Sequence, residues 1–156
     1  MRSDDIRIIE DCRDEIRKIE TWINANPLES NVKYLVSYAV IKASGTIEIV
    51  FKRVIHSFLA NGSKVETQNY LEKCIIDSSA NPKTGMIEKY IEQFDSNRKD
   101  AFNNSIKNTQ EKADLNSLVS LRNEIAHGRD ISTTIATVKK YYESGVEVLN
   151  ILDSLL

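Results

Sequence analysis

The sequence predicts an all-α, up-and-down helical bundle, and three observations carry that prediction. Helix-breaking residues are scarce, with five Gly and two Pro in 156 residues, and both prolines sit in polar breaks, Asn26-Pro27 and Asn81-Pro82. Between the breaks the apolar residues recur at spacings of three and four. The longest apolar segment, after Ser30, is too long for a strand and lacks two-residue alternation.

The elements follow in order. Ser3 is expected to cap a first helix whose Ile6, Ile9, Cys12, Ile16, Ile19 and Ile23 form its buried stripe, with Asp11 to Lys18 on a solvated face. The second helix should run from just after Ser30 to Asn61-Gly62, a span of roughly 45 Å at 1.5 Å per residue. Between Lys42 and Lys52 its only charged residue is Glu48, so it is expected to be the central, buried helix. Ser63-Lys64-Val65-Glu66 reads as a capping box opening a third helix that ends near Ser78. A loop over residues 79–85 leads to two shorter helices, Met86 to Phe94 and Asn97 to Lys107. The polar stretch Asn103 to Lys112 reads as a mobile connection. A helix from about Asp114 to His127 follows, stopped by Gly128. The last helix, from about Ser132 to Leu156, buries Ile135, Val138, Tyr142, Val146, Leu149 and Leu152 or Leu156.

Composition bounds the function. The length suits one domain over 1–156 with a real core. A net charge of -2 argues against non-specific coating of nucleic acid, while leaving room for a local basic patch. Cys12 and Cys74 belong to no ligand-spaced cluster and are expected to be buried free thiols in a reducing cytosol. With no apolar run of membrane-span length and no signal-type apolar amino terminus, the expectation is a cytoplasmic protein without membrane association. No His/Asp/Glu set has metal-ligand spacing, and neither a phosphate-cradling Gly-rich loop nor a nucleophilic Ser or Cys motif is present. Chemistry without a metal or cofactor is therefore expected.

The segment Arg122-Asn123-Glu124-Ile125-Ala126-His127-Gly128 concentrates the chemical potential of the chain. Arg122 offers a permanent cation with forked donors suited to a phosphodiester. His127, of a residue type with an unperturbed pKa of about 6.5, can carry a proton near neutrality. At about 100° per residue, Leu115, Val119 and Ala126 flank Arg122 on one side and Leu118 and Ile125 on the other. Arg122 thus sits within an apolar stripe and needs either a partner or a water-filled cleft. Asn123 and His127 fall at the stripe's edge, one turn apart. Two readings of Arg122 stay open: a buried ion pair with an acid such as Glu48, or a reach from a hydrophobic base toward phosphate with Glu48 orienting it from behind. Glu48 as a plain packing or solvent-facing residue is equally open. His56, outside any motif, reads as an ordinary surface or core histidine. Arg129, Lys139 and Lys140, with Tyr141 and Tyr142, either grip RNA by charge and stacking or form a solvated basic turn with its tyrosines in the core.

The segment resembles the signature of the HEPN superfamily (higher eukaryotes and prokaryotes nucleotide-binding domains): Arg, four to six residues, then His, with a polar residue often directly after the Arg. Arg122, Asn123 and His127 match it. The resemblance covers the chain as helical architecture, with extra short helices between the third helix and the motif helix, but as residues only Arg122 to Gly128. It implies a homodimer in which motif helices face each other across a two-fold axis, so that two His127 and two Arg122 line one cleft. The activity implied is a metal-independent endoribonuclease that attacks with the 2′-hydroxyl, leaving a 2′,3′-cyclic phosphate and a 5′-hydroxyl. His127 would be acid or base, Arg122 would bind phosphate, and Asn123 would position the histidine or substrate. Stand-alone domains of this kind are often toxins or antiphage effectors restrained by a neighbouring antitoxin or regulatory protein. One branch has a Tyr two residues after the motif His that a partner nucleotidyltransferase modifies; this chain has Arg129 there. The alternative from another class is a non-catalytic HEPN-like module that binds a nucleotide, RNA or protein.

Overall fold

The computed structural model describes residues 1–156 as seven α-helices without a strand. These are α1 (Ser3–Ala25), α2 (Val32–Ala60), α3 (Val65–Leu71, prolonged by a π-helical turn, Glu72–Ile76), α4 (Thr84–Glu92), α5 (Ser96–Ile106), α6 (Gln110–Ala126) and α7 (Ile135–Leu155). Helices α1, α2, α6 and α7 form a bundle, and α3 to α5 are inserted between its second and third members. The up-and-down expectation, with extra short helices ahead of the motif helix, is met.

Helix α2 is the axis. Its buried residues, among them Val40, Ser44, Ile47, Val50, Phe51 and Ile55, point around its circumference because α1, α6, α7 and α3 all pack on it. A helix apolar on most faces is a core helix. By length and composition α2 could also cross a membrane, contrary to the expectation that no segment reaches span length. Half of its most apolar window is nevertheless covered by other helices of the bundle.

The stripes of α1 and α7 fall as their spacing predicts, except that Ile6 is 48% exposed. Tyr142 is fully buried and its hydroxyl donates to Ile9 O at 2.8 Å, tying α7 to α1. Between α7 and the α2/α6 pair the fit is close at Gly145. A Cβ there would lie 3.0 Å from Ile47 Cδ1 and 3.4 Å from Leu115 Cδ1, both on buried side chains. Gly145→Val is therefore expected to overpack this crossing by about 1–3 kcal/mol. Differential scanning calorimetry should show a melting point lower by several degrees; an unchanged one would mean that α7 does not approach this closely.

Several local expectations are corrected. Ser3 is the first helical residue and caps nothing; Arg2 occupies the N-cap without a side-chain bond. The capping box at Ser63 does not form, because the Ser63 hydroxyl donates backwards to Ala60 O at 2.9 Å and Lys64 becomes the N-cap of α3. The stretch Asn103 to Lys112 is not a mobile connection: it is the end of α5 and the start of α6, separated by a short turn at Lys107–Thr109. The Thr109 side chain accepts from Lys112 N at 3.3 Å, so α6 starts one turn earlier than the apolar pattern suggests. Cys12 is buried as expected, but Cys74, in the π-helical turn, is exposed.

The chain leaving that turn is tied to α2. Lys52 is 7% exposed, and its ammonium donates to Ile76 O at 3.1 Å and to Ser78 O, two carbonyls at the helix end. One turn earlier, Glu48 Oε1 accepts from Lys52 Nζ at 3.2 Å and from the Ala80 amide at 3.0 Å. The chain over residues 76–80 is thus stapled to α2 by one buried cation and one carboxylate.

Candidate functional site

Helix α6 carries the motif on its last turn. Its buried side chains, Asp114, Leu115, Leu118 and Val119, face α2 and α7, and the helix turns half-buried as it reaches Leu121 to Ile125. Asp114 anchors it from within: the carboxylate, 2% exposed as a residue, accepts from Gln110 Nε2 at 2.6 Å and Ser144 Oγ at 3.0 Å, and lies 3.2 Å from Lys140 Nζ. Burial pushes its pKa up, but these donors outweigh burial and hold it below the usual carboxylate value. A lowered folded pKa means stability that is present above the ordinary Asp pKa of about 3.9 and is lost as pH falls through the folded value. Asp114→Asn should therefore be less stable near neutrality by about 1–3 kcal/mol. It should also show a shallower decline than wild type on acidification. Urea midpoints at pH 7 and in the acid limb check both; parallel declines would contradict this.

The helix ends by a left-handed cap. Gly128 has φ of +70°, a conformation that L side chains rarely adopt. Its amide donates to Ile125 O at 2.9 Å and the Arg129 amide reaches back to Glu124 O at 2.9 Å, the paired bonds of a Schellman ending. His127 is the C-cap residue, with its amide on Asn123 O at 3.1 Å and Glu124 O at 3.2 Å. The side chain of His127 is exposed and makes no hydrogen bond, so both ring nitrogens are free.

Arg122 is half-buried, as its place in the stripe requires, and no acid lies within ion-pair distance of it. The pairing with Glu48 is not formed. Glu48 is occupied by Lys52 and the Ala80 amide, and it approaches the motif only through the loop that it holds. Instead, Arg122 Nη1 donates to Asn123 Oδ1 at 3.3 Å, and the rest of the guanidinium is uncommitted. The same Asn123 oxygen accepts from Asn81 Nδ2 at 3.4 Å. Seven residues before Asn123, and so on the same face of α6, Asn116 holds Thr84 by its amide (3.1 Å) and hydroxyl. The loop over residues 80–84 therefore lies along the edge of α6 that carries Asn116, Asn123 and His127. Asn81 was missed in the sequence, where it read only as part of an Asn-Pro break. It leaves its own Oδ1 buried without a partner, an arrangement that typically costs about 1–3 kcal/mol.

Of the other expected groups only Arg129, next to Gly128, adjoins the motif. Lys139 pairs with Glu20 at 2.6 Å and Lys140 with Asp114, while Arg129 is exposed and unpaired. Tyr142 is in the core and cannot stack on a base. His56 is part-buried, with Nε2 3.4 Å from Glu72, in a pocket of about 290 Å³ that it shares with Arg2, Lys52 and Arg53. The His, Cys, Asp and Glu side chains gather nowhere in groups of three that could hold a metal ion.

An all-helical bundle with an Arg-Asn-(three residues)-His motif at a glycine-terminated helix end defines a HEPN-type domain. A model of the RiboL-PSP-HEPN family matches residues 3–156, and the chain belongs to that family. Neither a curated protein nor a solved structure matches it. HEPN domains include ribonucleases and nucleotide-binding proteins.

Proposed function

We propose that this domain is a metal-independent endoribonuclease acting as a homodimer. The observation that carries the reading is the uncommitted state of the motif: a half-buried guanidinium without an acid, and at the end of the same helix a histidine with both ring nitrogens free. An arginine with no carboxylate partner is suited to an anionic ligand, and phosphate matches its fork.

The chemistry needs two proton carriers. One imidazole takes the proton of the 2′-hydroxyl as that oxygen bonds to phosphorus; the bond to the 5′-oxygen breaks, and a second imidazole protonates the leaving oxygen. The products are a 2′,3′-cyclic phosphate and a 5′-hydroxyl. Arg122 stabilises the charge developing on the non-bridging oxygens. Each chain supplies one such histidine, so the second is His127 of the partner subunit. The reading is supported by an exposed apolar face on α2 suited to a second copy, where Tyr34, Tyr38, Ile41 and Ile49 are between 45% and 63% exposed. They form an open apolar row running past Glu48, whose link through Ala80 leads to the motif.

The proposed cellular role is that of a toxin or antiphage effector held in check by a neighbouring regulatory protein, with Arg122 and Arg129 as the cations nearest the substrate. Lys139 and Lys140 join only by leaving their carboxylate partners, part-buried Glu20 and buried Asp114. Purified protein incubated with mixed RNA in EDTA tests the reading, alongside sedimentation. A dimer that degrades RNA supports it; a folded dimer that leaves RNA intact overturns it in favour of a non-catalytic binding module.

A further inference from the structure

We propose that Asn81 is a positioning residue of the motif site, orienting the Asn123 carboxamide so that its NH2 group and the Arg122 guanidinium present one donor face to phosphate. This rests on the ribonuclease reading above and adds a residue to it from outside the motif.

The argument starts from what a guanidinium can do. It donates and never accepts, so the Asn123 atom facing Arg122 Nη1 at 3.3 Å is the carbonyl oxygen. The Asn123 Nδ2 group is then turned the other way, where it has no acceptor in the protein. One contact at 3.3 Å holds a carboxamide loosely. A second donor on the same oxygen removes the freedom to flip, and Asn81 Nδ2, at 3.4 Å, is that donor.

Asn81 is itself held from both sides. The preceding amide, Ala80 N, donates to Glu48 of α2, and Lys83 N closes a tight turn on Asn81 O at 2.8 Å. Pro82 between them is buried, and Thr84 is clamped by Asn116 of α6. This places Glu48 in the site's support after all, through the main chain of the loop rather than by pairing with Arg122. The unpartnered Asn81 Oδ1 shows that the residue does not maximise stability. A residue kept at a cost to the fold, with its donor turned onto the motif, is accounted for by the orientation that it imposes.

Two variants and two readouts test this. Asn81→Leu removes the orphaned oxygen together with the donor, so its melting point should equal or exceed that of wild type. Its kcat for RNA cleavage should fall about tenfold or more, with KM within about twofold. Asn81→Asp, which cannot donate when ionised, should lower kcat at least as far. Titration with an uncleavable 2′-deoxy oligonucleotide should shift the Asn123 side-chain amide resonance in wild type and not in Asn81→Asp. Both variants cleaving within twofold of wild type would overturn the proposal, as would an equal amide shift in Asn81→Asp. Wild type that cleaves no RNA would overturn the ribonuclease reading instead, and the amide titration would still decide the role of Asn81.

Discussion

His127→Ala is expected to lower the rate of RNA cleavage by about 10²- to 10⁴-fold, the usual contribution of a positioned acid or base. The fold should not change. The imidazole is exposed and unbonded, and the contacts made at position 127 come from the main chain, which alanine keeps. A stability change within about 0.5 kcal/mol is therefore expected. Arg122→Ala should lose about 10²- to 10³-fold through the missing stabilisation of phosphorane charge. Arg122→Lys should not restore it, since a point charge cannot reproduce the fork that faces both Asn123 and phosphate. Initial rates on a defined RNA, with circular dichroism as the control for folding, separate these outcomes from simple unfolding.

Phe51→Ala is expected to destabilise the protein by about 3–5 kcal/mol, a large part of the 5–15 kcal/mol that holds a typical domain. Phe51 is fully buried on α2, and its ring meets Tyr90 of α4 edge-on, with centroids 5.6 Å apart and planes at 79°. The Tyr90 hydroxyl lies 2.9 Å from Ser78 Oγ, next to the carbonyl that Lys52 holds. Emptying position 51 thus removes transfer energy and an aromatic pair, and it loosens the support of the loop that carries Asn81. The midpoint of urea unfolding should fall accordingly, with activity lost at temperatures where wild type still cleaves. A shift below about 1 kcal/mol would contradict the placement of α2 as the core axis.

Most of the architecture is legible in the sequence because it follows from periodicity. The stripe from Ile9 to Ile23 and that from Ile135 to Leu152 are buried along their lengths, and Gly62 and Gly128 stop their helices with positive φ. Caps were harder to read. Ser3 and Ser63 have the right residue type at plausible positions, yet each hydroxyl is free to choose between a cap and another acceptor, and Ser63 takes Ala60 O. Polarity misled at Asn103 to Lys112, where a helix with few buried residues looks like a loop until α5 is packed against α7.

The site was legible in part for the same reason. Arg122, Asn123 and His127 are close in sequence and lie on one helix, so their spacing places them. Asn81 lies 42 residues away from Asn123 and meets it only through tertiary structure. The role of Glu48 stays open in the sequence for the same reason: the spacing marks α2 as central, but nothing local reveals that Lys52 and the Ala80 amide reach the carboxylate and Arg122 does not.

End-group analysis of RNA incubated with the purified protein in EDTA tests the central claim most directly. Attack by the 2′-hydroxyl, with protons moved by His127, leaves 2′,3′-cyclic phosphate and 5′-hydroxyl termini that disappear in His127→Ala. Termini bearing a 5′-phosphate, or cyclic termini that persist undiminished in His127→Ala, would contradict the account.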